Sequence, residues 1–71
     1  VKYKIIKYYK NNVIDEETMT IEELKEYAKQ FIGDVFHNEN DLEENIKYIQ
    51  EDGYDLWTLK YQLEIEIEKA E

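Results

Sequence analysis

Carboxylates dominate the side chains of this chain that could do chemistry: eighteen Asp and Glu stand against nine Lys, one His and no Cys or Arg, for a net charge of −9 over 71 residues. Acyl transfer needs a nucleophile beside a base. With no Cys and no Ser, and His37 the single histidine, no Ser–His–acid or Cys–His arrangement can be assembled. Thr18, Thr20 and Thr58 are the remaining aliphatic hydroxyls, and Gly33 and Gly53 the only glycines, so a glycine-rich phosphate loop is absent. Paired carboxylates would suit glycoside hydrolysis, but that chemistry needs a sugar-sized cleft beyond so small a chain. The run from Asp34 through His37, Asn38, Glu39, Asn40 and Asp41 to Glu44 gathers oxygen ligands. It lacks the alternating acids and central glycine of a calcium loop, and a lone His makes no zinc site. The expectation is a protein that is not an enzyme and holds no metal or cofactor.

The acids are arranged rather than scattered. Residues 1–10 carry Lys2, Lys4, Lys7 and Lys10 and no acid, while every carboxylate lies beyond them. Glu64, Glu66 and Glu68 alternate with apolar residues, so on a strand they project from one face at intervals of about 6.7 Å. Asp15, Glu16 and Glu17 form a second run. Two readings fit. The carboxylates keep an exposed sheet face soluble and block edge-to-edge aggregation, with Lys2 and Lys4 able to lie across from them. Alternatively, a row of carboxylates imitates a line of phosphates and fills the basic channel of a nucleic-acid-binding protein. Direct binding of nucleic acid is opposed by the net negative charge.

The elements that would position these groups follow from periodicity. Tyr3-Lys4-Ile5-Ile6-Lys7-Tyr8-Tyr9 reads as a strand with apolar groups on both faces, explained by cover on both sides or by a bulge near Ile5. Asn11-Asn12 suits a hairpin turn, and Val13 to Met19 returns with Lys7 opposite Glu16. Thr20-Ile21-Glu22-Glu23 is a capping box opening a helix whose apolar positions are Ile21, Leu24, Ala28, Phe31 and Val35. Asp41 with Glu44 repeats that logic for a second helix striped by Leu42, Ile46 and Ile49 and closed at Gly53. Trp57, Leu59, Tyr61, Leu63, Ile65 and Ile67 then alternate with polar residues as one long half-buried strand. The predicted architecture is a single α+β domain over residues 1–71, ββααβ, with a three-stranded antiparallel or mixed sheet and both helices on one face.

Among the seven tyrosines, Tyr27, Tyr61 and Tyr9 fall near core-facing positions, whereas Tyr3, Tyr8, Tyr48 and Tyr54 are harder to bury together. Exposed Tyr is enriched at interfaces, which makes Tyr54 or Tyr8 the expected anchor beside an electrostatic set of Glu64, Glu66, Glu68, Asp15, Glu16 and Glu17. No apolar run exceeds two residues, so neither a membrane span nor a secretory leader is expected, and the cytoplasm is the expected location.

In size, acidity, tyrosine content and lack of Cys, the chain resembles small anti-defence proteins of phages and mobile elements, the anti-restriction and anti-CRISPR inhibitors. The resemblance covers the whole chain and rests on no motif. It implies an inhibitor, monomeric or homodimeric, that binds the basic surface of a nucleic-acid-binding enzyme as a DNA mimic. The alternative is an adaptor that binds through exposed aromatic and apolar residues of the hairpin, its acids serving only as a solvated face.

Overall fold

A computed structural model describes residues 1–70. Two antiparallel hairpins flank two helices: β1 (Lys2–Tyr9), β2 (Asn12–Thr20), α1 (Ile21–Ala28), α2 (Glu39–Asp52), β3 (Tyr54–Thr58) and β4 (Leu63–Lys69). The strands form one four-stranded sheet in the order β2-β1-β4-β3, every neighbouring pair antiparallel. The α+β class stands, but the three-stranded ββααβ architecture does not: the chain is ββααββ.

The extra strand comes from a turn that the alternation conceals. Thr58 pairs with Leu63, and Leu59 to Gln62 reverse the chain between them. None of these four is Gly, Pro, Asn or Asp, so no turn residue marks the place. The turn is held by side chains instead. The Thr58 hydroxyl accepts from the Tyr61 and Leu63 amides at 3.3 and 3.4 Å. The Asp34 carboxylate, from the loop between the helices, accepts from the Leu59 and Lys60 amides at 2.9 and 3.2 Å, and Gln62 takes a left-handed backbone at φ 55°. Reversal also changes the parity of the faces. Tyr54, Leu56 and Thr58 point at the helices, while Trp57, in phase with Leu63 along a continuous strand, is turned to the opposite side.

The N-terminal hairpin is present with a shifted turn. Lys10 and Asn11, at φ 49° and 68°, are the central pair, as a two-residue turn of the primed type requires. Lys7 therefore lies opposite Asp15, not Glu16, and Glu16 lies opposite Ile6. The irregularity falls between Lys7 and Tyr8, leaving Ile14 of β2 unpaired, not at Ile5. Ile5 is fully buried under the helices, while Ile6, on the helix-free side, is only 9% exposed.

The capping box of α1 is formed, with the Glu23 amide donating to Thr20 Oγ1 at 3.3 Å and the Thr20 amide donating to Glu23 Oε1 at 2.9 Å. α1 stops at Ala28 and tightens into a 3₁₀ turn, Lys29–Phe31. The second helix starts earlier than the Asp41 cap predicts. Asn38 caps it, accepting from the Asp41 amide at 2.9 Å, while Asp41 accepts from the His37 amide. Gly53 ends it at φ 81°, where a Cβ would lie 3.0 Å from the Ile67 carbonyl oxygen. Leu24, Ala28, Phe31, Leu42, Ile46 and Ile49 pack on Tyr3, Ile5, Leu56, Ile65 and Ile67. Tyr3, 4% exposed, belongs to this core.

Asp34 ties the interhelical loop to the β3–β4 turn, so Asp34→Ala should lower stability by about 1–2 kcal/mol, the worth of charge-assisted bonds at a partly solvated site. Urea unfolding measures the loss, and faster amide exchange confined to Leu59 and Lys60 would locate it. Unchanged exchange at those amides would show that the turn holds without the carboxylate.

Candidate functional site

Residues directly opposite in adjacent strands share a face, so the register sorts every charged strand residue. The helix-covered face takes Asp15 and Glu17 of β2, opposite Lys7 and Ile5. Lys7 Nζ answers both, at 3.5 Å from Asp15 and 3.9 Å from Glu17, and sits 5.0 Å from the centre of the Tyr27 ring. Burial alone would lower the Lys7 ammonium, but its bond to Tyr27 and the charges of Tyr27, Asp15 and Glu17 raise it. Those two acids thus share the single Lys7 ammonium at the margin of the helical layer.

The helix-free face collects the rest. It presents Lys4, Ile6 and Tyr8 from β1, Glu16 from β2, Glu64, Glu66 and Glu68 from β4, and Asp55 and Trp57 from β3. Lys4 binds Glu16 at 3.3 Å and lies opposite Glu68 in register. Beyond it the balance fails. Asp55 stands directly opposite Glu66, and Trp57 directly opposite Glu64. Among the described residues, Asp55, Glu64, Glu66 and Glu68 enter no ion pair.

Tyr8 reports the resulting field. Its hydroxyl donates to Glu66 Oε1 at 3.3 Å. Partial desolvation raises the phenol, and the charges of Glu66, Glu64 and Glu16 raise it further, because each disfavours a phenolate. Tyr8, the β4 acids and Glu16 therefore form one site. Asp15 and Glu17 stand apart from it. Tyr54 does too: it packs against the core on the helix side, its hydroxyl donating to Asn45 Oδ1 at 3.0 Å.

Two members of the face escape the reading of the sequence. Counting Trp57 as the first residue of the long stripe assigns it to the core, yet it is 55% exposed. The signal against that was Tyr54-Asp55-Leu56-Trp57-Thr58, which alternates in the opposite phase. Asp55 follows from the same shift.

Asp34, Asn38 and Asp41 are engaged with backbone amides, and among the described residues no three His, Asp or Glu side chains converge as metal ligands. No described helix is long and apolar enough to cross a membrane. No family model, curated protein or solved structure matches the chain.

The raised phenols and ammonium carry a linkage. Tyr8 and Tyr27 lie above their ordinary 10.0 and Lys7 above 10.5 in the folded protein. Raised groups stabilise the fold below the unfolded-state values, and the contribution is lost as pH rises through the folded ones. Stability should thus decline from about pH 10 upward, and Tyr8→Phe and Tyr27→Phe should each flatten the decline. Urea midpoints across the alkaline range test this, and slopes unchanged in both variants would refute it.

Proposed function

We propose that the chain is a non-enzymatic interaction module whose helix-free acidic face docks on the basic, nucleic-acid-binding surface of a protein partner and occupies it in place of nucleic acid. One observation carries the reading. Asp55 and Glu66 are direct cross-strand neighbours, with Glu64 and Glu68 on either side of Glu66. Like charges opposite one another in a sheet destabilise it, and no ion pair among the described residues offsets them. A face serving solubility alone is met by mixed signs, as the Lys4–Glu16 pair shows on the same sheet. A row of carboxylates gains instead from a partner's clustered cations, through the electrostatics that attract phosphates. The resemblance to anti-restriction and anti-CRISPR inhibitors supplies a partner class, a defence nuclease.

The second reading, an adaptor or homodimer joined through the hairpin, has its own observation: Val13 and Ile14 on edge strand β2 are 52% and 54% exposed. Antiparallel self-pairing of that edge about Glu16 would set Asp15 of one copy against Glu17 of the other. Acids on an edge strand oppose such pairing, which favours the first reading.

Tagged protein should capture a nucleic-acid-binding protein that is released as salt rises and is displaced by duplex DNA. The double reversal Glu64→Lys with Glu66→Lys should abolish capture while leaving the melting temperature unchanged or raised, since it relieves repulsion. Capture that withstands both salt and the reversal would overturn the proposal.

A further inference from the structure

At one end of the helix-free face the register assembles a row that packing does not account for. Trp57 of β3, Glu64 of β4 and Tyr8 of β1 are successive cross-strand neighbours, which sets a carboxylate between two aromatic side chains. Adjacent strands lie about 4.8 Å apart, so the two aromatics are rooted roughly 10 Å from one another. Between them opens a cleft of about 210 Å³, lined by Trp57, Tyr8, Glu64 and Gln62 with Lys10 and Tyr9 at the hairpin end. Trp57 is more than half exposed. Tyr8 is steadied by its bond to Glu66. Glu64 accepts no hydrogen bond and enters no ion pair among the described residues.

The chemistry of the row is selective. Aromatic faces attract a cation, Trp most strongly, and a free carboxylate between them adds a charged acceptor. A flat cation with apolar faces and a fork of donors satisfies both at once by stacking on the indole while donating to the carboxylate. A guanidinium has that shape, and an ammonium offers charge without a face. A nucleobase would find the aromatic surface, but its phosphates would meet Glu64, Glu66 and Asp55.

We infer that the Trp57–Glu64–Tyr8 cleft receives an arginine side chain of a protein partner, stacked against Trp57 and paired with Glu64. This deepens the docking reading above by naming the partner's chemistry at one point, and it rests on that reading for its partner. Lys10 limits the site. Its ammonium is held 5.5 Å from the centre of the Tyr9 ring, at the hairpin end of the cleft, where it repels an incoming cation.

The test titrates isotopically labelled protein with N-acetyl-arginine amide, N-acetyl-lysine amide and a short single-stranded DNA, following amide and indole N–H resonances. The arginine probe should give saturable shifts centred on the Trp57 indole and on Tyr8 and Glu64, more weakly with the lysine probe and not with DNA. Trp57→Ala should weaken arginine binding about tenfold, with Trp57→Phe between the two. Glu64→Gln should weaken it and Lys10→Ala strengthen it. Trp57 is exposed, so a native-like spectrum of each variant excludes unfolding as the cause. Absence of saturable shifts at Trp57, equal binding by Trp57→Ala, or preference for DNA would each overturn the inference. The two proposals fail separately. If capture is salt-sensitive and lost on reversal of Glu64 and Glu66 but arginine does not enter the cleft, the cleft assignment falls alone. If arginine binds there while capture ignores the reversal, the docking function falls and the arginine site stands.

Discussion

The antiparallel pairing of β1 with β4 at the centre of the sheet is the interaction on which the rest depends. It joins the first and last strands of the chain, opposing Ile5 to Ile67 and Lys7 to Ile65 on one face and Ile6 to Glu66 and Tyr8 to Glu64 on the other. Ile5 and Ile65 are fully buried, each contributing about 1.5–3 kcal/mol by leaving water. In a chain that buries only about 60% of its unfolded surface, that pairing cannot slip. A shift of one residue would carry the isoleucines into solvent and the glutamates under the helices. The core thus fixes the position of the acids without touching them.

Both outer strands hang on this central pair, and they are secured differently. β2 follows β1 through the tight Lys10-Asn11 turn, a local device. β3 meets β4 at a turn braced from outside the hairpin, where Asp34, distant in sequence, accepts the turn amides and Tyr61 folds back against Phe31 at 6.1 Å between ring centres. The placement of Trp57 and Asp55 is therefore a tertiary outcome. Without the reversal at Thr58 they would lie on other faces, and the acidic site would lose its edge and its largest aromatic.

That difference explains what could be read in advance. The capping box at Thr20, the apolar stripe of α2, the glycine closing α2 and the inward Ile65 and Ile67 each declare themselves through local spacing, and each is found in the fold, whereas the stripe of α1 holds only as far as Ala28, with Phe31 and Val35 beyond the helix. Glu64, Glu66 and Glu68 were legible as a row for the same reason. The break inside the final alternation was not, because Leu59-Lys60-Tyr61-Gln62 continues a strand-like pattern and the groups that bend it come from elsewhere. Asp15 and Glu17 looked equivalent to Glu16 by composition. Only the register, with its bulge after Lys7, sends them to the opposite face and to Lys7.

The distribution of lysine sharpens the meaning of the site. On the covered face, the partly shielded Lys7 answers two solvent-exposed carboxylates at the margin of the helical layer. On the β1–β2 half of the open face, Lys4 answers Glu16. On the β3–β4 half, the position opposite Glu66 holds Asp55 and the one opposite Glu64 holds Trp57, though a lysine at either would relieve the strand with no demand on the core. The Asp55–Glu66 pairing therefore costs the sheet some stability. That uncompensated repulsion is the feature on which the proposed docking reading rests. Here the unpaired Glu64 and an exposed indole meet in one cleft, with the Asp55–Glu66 pair beside it on the same face, and a cation from outside would be attracted to both.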